Sequence, residues 1–279
     1  MKRIAALILL FSVLINAQTK SELFPDNLTI QPFTANIIEP KLGFVFQLSK
    51  SELRLDIGNS IDIYRKQIDN LTYSIGADLF TYTLLRSESD FHFPVDAVDY
   101  LFGINAGIKY ESKNKCCSLI DEIGARFRLS HISAHIVDGH LDPDPDQMWI
   151  DNHPPRVYSR EFFELMPYVR INDLRLYLGF TYIYHVDPGW IGKDNYQIGF
   201  DYFYKGFSNS ITPFIGYDLK IVNINTYTAN NSINVGVKIG KPHGKGFSIY
   251  YHYYSGKSVH GEYFEFNREY SALGFNLDL

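Results

Sequence analysis

The segment RLSHISAHIVDGH, from Arg128 to His140, places His131, Ser133 and His135 at every other position. In an extended chain alternate residues share a face, so the three side chains point the same way. A serine between two imidazoles is a starting point for acyl transfer. Serine supplies a nucleophilic hydroxyl, histidine takes its proton, and a carboxylate orients the histidine. Ser133 would be the nucleophile and His131 or His135 its base, with Asp138, Glu161 and Glu164 as candidate orienting acids. The plainer reading is the polar end of a strand, and spacing alone does not choose between the two.

Two further constellations are weaker. Asp142, Asp144 and Asp146 alternate with prolines and offer hard oxygens to Ca²⁺. They lack the glycine and distal glutamate of an EF-hand loop, so a solvated acidic loop is the simpler expectation. His131, His135, His140 and His153 have neither helical nor Cys/His zinc spacing. No cofactor is therefore expected, with Ca²⁺ at the aspartate loop as the one candidate.

What these residues do depends on what holds them. From Lys41 onward the chain keeps returning to strict alternation. Leu174, Leu176, Leu178, Phe180, Tyr182 and Tyr184 alternate with Arg175, Gly179, Thr181 and His185. Ile233, Val235, Val237 and Ile239 alternate with Asn234, Gly236, Lys238 and Gly240. This is the period of strands with one apolar and one polar face. The segments run to membrane-crossing length, and aromatics crowd their ends at Tyr202–Tyr204 and at Tyr250, Tyr251, Tyr253 and Tyr254. About twelve strands are expected, an even number, forming an antiparallel transmembrane β-barrel over residues 41–279. Short turns alternate with longer loops, among them VNINTYTANN, and the longer set marks the outer side.

On that topology the strand carrying Ile123, Ala125, Phe127 and Leu129 toward lipid also turns His131, Ser133 and His135 to the lipid side at the outer rim. Arg126, Arg128, Arg160, Glu164 and Arg170 face the lumen, either as a structural ion-pair plug or as the lining of a narrow solute path.

The remaining sequence bounds the setting. Met1–Arg3 and the apolar run after them, closed by Ala17, read as a signal peptide over residues 1–17. Residues 18–40, with three prolines, read as an irregular lead-in. A net charge of −5 with 20% charged residues shows no basic face, which excludes a nucleic-acid partner. The expected partners are outer-membrane lipid and the barrel-assembly machinery, and the oligomeric state stays open. Cys116 and Cys117 are adjacent, a geometry that rarely bridges.

His131, Ser133, His135 and Asp138, followed by Tyr158-Ser159-Arg160-Glu161, resemble the central signature of an exported Gram-negative family catalogued as domain of unknown function 1207. The opening FPDNLTIQPFTANIIEPKLGF resembles that family's start. Ala134 stands where the family pattern has serine, and Gly139 where it has an acidic residue. The resemblance implies an outer-membrane barrel and no assigned activity. His-x-Ser at the outer end of a strand is also similar, locally, to the lipid A 3-O-deacylases, which use a lipid-facing Ser–His–Glu arrangement. Their pattern continues Asn-Ala, where this chain has Ala134-His135. The functional expectation is an integral outer-membrane protein with its working surface at His131–Asp138. The alternatives are an acyl-ester hydrolase acting on outer-leaflet lipid, and a narrow channel.

Overall fold

The computed structural model describes residues 19–112, 119–142, 144, 146–208, 210–242 and 244–278. The expected signal peptide and the Cys116-Cys117 pair lie outside the described residues. Among the described residues thirteen strands follow one another: β1 (Thr19–Leu23), β2 (Leu42–Gln47), β3 (Glu52–Ile68), β4 (Leu71–Arg86), β5 (Val95–Glu111), β6 (Glu122–Ile136), β7 (Tyr158–Ile171), β8 (Leu174–Asp187), β9 (Asp194–Phe203), β10 (Ile211–Ile224), β11 (Thr226–Gly240), β12 (Gly246–Lys257) and β13 (Asn267–Asp278). From β2 to β13 each pairs antiparallel with the next, and β13 pairs back onto β2, closing a twelve-stranded barrel. Closure is what allows strands to cross lipid, because it leaves no row of unpaired backbone groups.

The wall is apolar outward and polar inward. Ile75, Leu79, Ile104, Leu178 and Ile198 are each more than half exposed on the outside, whereas Asp78, Arg128, Glu164, Arg175 and Asp218 are buried within. This inversion is the membrane-barrel signature. The aromatic row at the end of β12 divides between the faces. Tyr251 faces out, whereas Tyr250 and Tyr254 are buried in the lumen, because adjacent residues of a strand alternate. VNINTYTANN forms no long loop. β10 and β11 continue through it to a tight turn at Asn225, which adopts the left-handed conformation with φ 60° that asparagine tolerates. The remaining longer connections, 87–94, 137–157, 188–193 and 258–266, gather at one end and define the outer side.

The lead-in segment is more ordered than its composition suggests. β1 pairs with the far end of β3, Leu23 opposite Tyr64 and Thr19 opposite Ile68. β2 pairs with the beginning of β3, Gly43 opposite Asp56. β1 and β2 thus share one edge of β3, and between them residues 24–41 dip into the lumen. The dip is held by side chains. The Asp62 carboxylate accepts bonds from Thr29 N (2.7 Å) and Oγ1 (2.6 Å), and Arg54 donates to the Ile37 carbonyl (2.7 Å). Phe33, fully buried, sits under the guanidinium groups of Arg175 (4.4 Å to the ring centre) and Arg126 (4.9 Å).

Above this plug lies a layer of ion pairs. Arg126 makes two hydrogen bonds to Glu39 and one to Glu164 (3.2 Å). Arg128 reaches Asp78 (2.8 Å) and lies within ion-pair distance of Glu164 (3.3 Å) and Glu39 (3.6 Å). An apolar layer, including Ile38, Phe80, Leu101, Ile132, Phe162 and Phe264, completes the outer half. The bore is filled in three tiers. The lumen charges Arg126, Arg128 and Glu164 therefore pair with one another and with the plug rather than lining an open path.

Candidate active site

His131, Ser133 and His135 lie on the outer face of β6 near its outer end, alternating with buried Ile132 and Ala134. The alternation begun at Ile123 continues unbroken, because no bulge intervenes between β6 and β5 or β7. Cross-strand register then brings the partners. His131 stands opposite Glu161 of β7 and opposite Phe102 of β5, and Ser133 opposite Ser159 and Tyr100.

The Glu161 carboxylate is the hub. Oε1 lies 2.6 Å from His131 Nδ1 and takes a bond from Ser159 Oγ at 3.3 Å. Oε2 lies against His185 Nδ1. An ionised carboxylate only accepts, so both imidazoles donate from Nδ1. That assignment leaves Nε2 of a neutral His131 as its basic nitrogen. The His131 ring packs against Phe102, centres 4.8 Å apart. His131 and Glu161 are about one-quarter exposed, whereas His185 is 65% exposed. The site is a shallow patch on the wall, not a cavity.

Strict alternation along β8 assigns His185 to the lumen side with Arg175 and Thr181. The structure places it outside. Register with β7 jumps from Glu161–His185 to Phe162–Ile183, so Tyr184 is an extra residue on β8. The bulge turns Tyr184 and His185 outward together. Tyr184 packs against Phe163 with ring centres 5.0 Å apart, and His185 reaches Glu161. Ser159 was the other member of the cluster without a signal in the sequence beyond its place in the Tyr158–Glu161 run.

The other expected residues separate. His135 contacts only the Tyr100 ring, at 6.0 Å, and has no carboxylate partner among the described residues. Asp138 starts a short 3-10 turn, Asp138–His140, and is bonded to neither histidine. Glu164 faces inward and belongs to the ion-pair layer, so it does not orient a lipid-facing histidine. No hydrogen bond joins Ser133 to His131 or His135 among the described residues, the loose geometry common in ligand-free sites. Arg170 lies apart from the central network, at the inner mouth, 3.6 Å from Glu122 and lining a polar vestibule of about 450 Å³. His252, midway along β12, faces the lumen and bonds Asn234 at 2.7 Å. In the aspartate loop, Asp142 and Asp144 accept the backbone N–H groups of Asp144 and Asp146. Among the described residues no three His, Cys, Asp or Glu side chains converge as metal ligands.

Beside the site, loops 137–157 and 258–266 close over the mouth. His140 Nε2 donates to the His153 carbonyl (3.1 Å), and its Nδ1 faces Tyr263 Oη (3.3 Å). His153 Nε2 donates to the Glu262 carbonyl (3.0 Å). Burial pushes both imidazoles below the usual histidine value, with the cations of Arg86 and Arg156 adding to it and the carbonyl bonds opposing it. Asp96, Asp151, Glu262 and Glu265 are the carboxylates nearby. A histidine held neutral in the fold and free to protonate when released contributes stability above about pH 6.5, the unfolded value. That contribution is lost as pH falls through the lower folded value. Protection factors in residues 137–157, exchange corrected for the slower intrinsic rate in acid, are therefore expected to fall between about pH 7.5 and about pH 5, more than in the barrel strands. Equal protection at both values would exclude histidine control of the roof.

The comparisons fit this architecture. Outer membrane phospholipase A from Escherichia coli superposes with a TM-score of 0.52 at 14% identity, covering 90% of this chain and 94% of that one. The Salmonella typhi outer membrane phospholipase dimer with bound calcium gives 0.51 at 14% identity, with the same coverage of each chain. At that identity the likeness establishes the fold, a barrel of the bacterial outer-membrane kind. No curated protein matches the sequence. Residues 85–278 match the family model described as "Protein of unknown function (DUF1207)", a span that takes in β5 to β13 and every residue of the His131–Glu161–His185 cluster. The chain belongs to that family of outer-membrane barrels.

Proposed function

We propose that the protein hydrolyses acyl esters of outer-leaflet lipid, with Ser133 as nucleophile, His131 as base and Glu161 as the acid that orients it. The observation that carries this reading is the 2.6 Å bond between His131 Nδ1 and Glu161, on the lipid face and two residues from Ser133. A carboxylate on Nδ1 fixes the ring and its tautomer and stabilises the imidazolium formed during reaction. In the first half-reaction Ser133 Oγ attacks the ester carbonyl and its proton passes to His131 Nε2. The tetrahedral intermediate expels the lipid alcohol, which takes that proton. Water then attacks the acyl-serine by the same route, releasing fatty acid and free Ser133. A site on the outside of a barrel wall meets its substrate by lateral diffusion, so a shallow patch suffices where a soluble enzyme needs a cleft. Flanking Tyr100 and Phe102 supply apolar surface for an acyl chain.

Two structural neighbours carry the name phospholipase, which makes phospholipid the first substrate to test and lipid A the second. The refolded barrel is incubated with phosphatidylethanolamine vesicles or with lipid A, with and without calcium. Products are read by mass spectrometry for wild type and Ser133→Ala. Fatty acid and deacylated lipid from wild type alone are expected. Equal release from both proteins, or none from either lipid, would sink the proposal.

A further inference from the structure

Within the outer half of the bore, a cavity of about 70 Å³ lies beneath the roof. Arg160, Lys220 and Lys257 line it, and no aspartate or glutamate does. Its apolar walls include Phe162, Ile183 and Phe264.

The charge balance here differs from the rest of the lumen. Arg54, Arg126, Arg128 and Arg175 each have a carboxylate within ion-pair distance. Arg160 has none among the described residues. It lies over the Phe162 ring at 5.7 Å, and its buried Nε has no hydrogen-bond partner. Among the described residues Lys220 donates only to Asn36, at 3.3 Å, and Lys257 Nζ to the Glu265 carbonyl. The inward carboxylates whose charges reach these cations are already engaged. Asp99 bonds His260 and Gly261 N, Asp218 bonds Tyr177 and Gln197, and Glu164 serves Arg126 and Arg128. A cation shielded from water without a counter-charge is costly, and an arginine cannot relieve that cost by losing its proton. The forked guanidinium suits a planar or tetrahedral oxyanion. The cavity has room for about five waters, or for one such headgroup.

We propose that this cavity binds an oxyanion, carboxylate or phosphate, held by Arg160 and Lys220 with Lys257 at the rim. The ligand is either a free oxyanion or the head of an amphiphile whose first carbons rest on Ile183 and Phe264. The site is separate from Ser133, on the opposite face of the wall.

The test uses the full refolded barrel in a non-ionic detergent. Inorganic phosphate and octanoate are titrated by calorimetry, and thermal unfolding is followed in parallel, against sodium chloride of equal ionic strength. Saturable binding and a raised unfolding temperature are expected with at least one probe. Arg160→Gln should weaken that binding about tenfold or more, the worth of one charge-assisted bond. Should Arg160→Gln fail to refold, Lys220→Gln carries the same expectation. Phosphate binding alone assigns a free oxyanion, and preference for octanoate assigns an amphiphile head. Neither probe binding beyond the chloride baseline, or binding unchanged in the refolded variant, would overturn the proposal.

Discussion

Glu161→Gln is expected to lower lipid hydrolysis by roughly 10³- to 10⁴-fold while leaving the barrel folded. Glutamine keeps the shape of the side chain but not its charge. Where its amide nitrogen faces His131 Nδ1, the ring must present the wrong tautomer, and Nε2 can no longer accept the serine proton. Where its oxygen faces His131, the imidazolium formed in the reaction loses its counter-charge. Either arrangement raises the barrier. His185 is the internal control. It touches the other carboxylate oxygen and is 65% exposed, so His185→Gln should cost less than about tenfold, the worth of a screened contact. The measurement is initial rate on phosphatidylethanolamine vesicles, with the heat-modifiable gel shift confirming each fold. Glu161→Gln retaining a third or more of wild-type activity would remove Glu161 from the machinery. A larger loss in His185→Gln than in Glu161→Gln would exchange the roles of the two histidines.

Glu39→Ala is expected to destabilise the barrel by about 3–5 kcal/mol, the cost of leaving one partner of a buried ion pair without the other. Glu39 is 3% exposed and receives two bonds from Arg126, with Arg128 3.6 Å away. Its removal leaves two buried guanidinium groups sharing Glu164 and Asp78. It also loosens the plug at one point, since Asn36 Nδ2 donates to Glu39 at 2.8 Å. Urea unfolding of the refolded barrel, read by the gel shift, measures the loss. A change below about 0.5 kcal/mol, the ordinary range for surface substitutions, would mean that the plug is held without Glu39, by Phe33, the Thr29–Asp62 bonds and the bonds from Arg54 and Arg175 to its carbonyls.

The face of each strand was legible from the chain itself. Period-2 alternation from Ile123 to Leu129 places His131 and Ser133 outward, and the bulge-free register of β6 keeps them there. The inverted polarity of the wall, with Asp78, Arg128 and Glu164 inside, follows from the same period read against lipid. Which acid serves which histidine did not follow. Asp138 is near in sequence, yet Glu161, thirty residues away, is the partner of His131 because β6 and β7 pair at that height. Register of this kind is set by the sum of all pairings around a closed barrel, and no local stretch contains it. His185 shows the limit most plainly. Its alternation with Tyr182 and Tyr184 points inward, and one inserted residue on β8 reverses it. The plug is the same lesson on a larger scale. Residues 24–41 look like an irregular leader because their prolines and mixed polarity match no period. Their order comes from Arg54, Arg126, Arg175 and Asp62, side chains of distant strands that meet them only once the barrel has closed. Local pattern therefore determined the strands and their faces, and tertiary closure decided the site, because closure alone sets which faces meet.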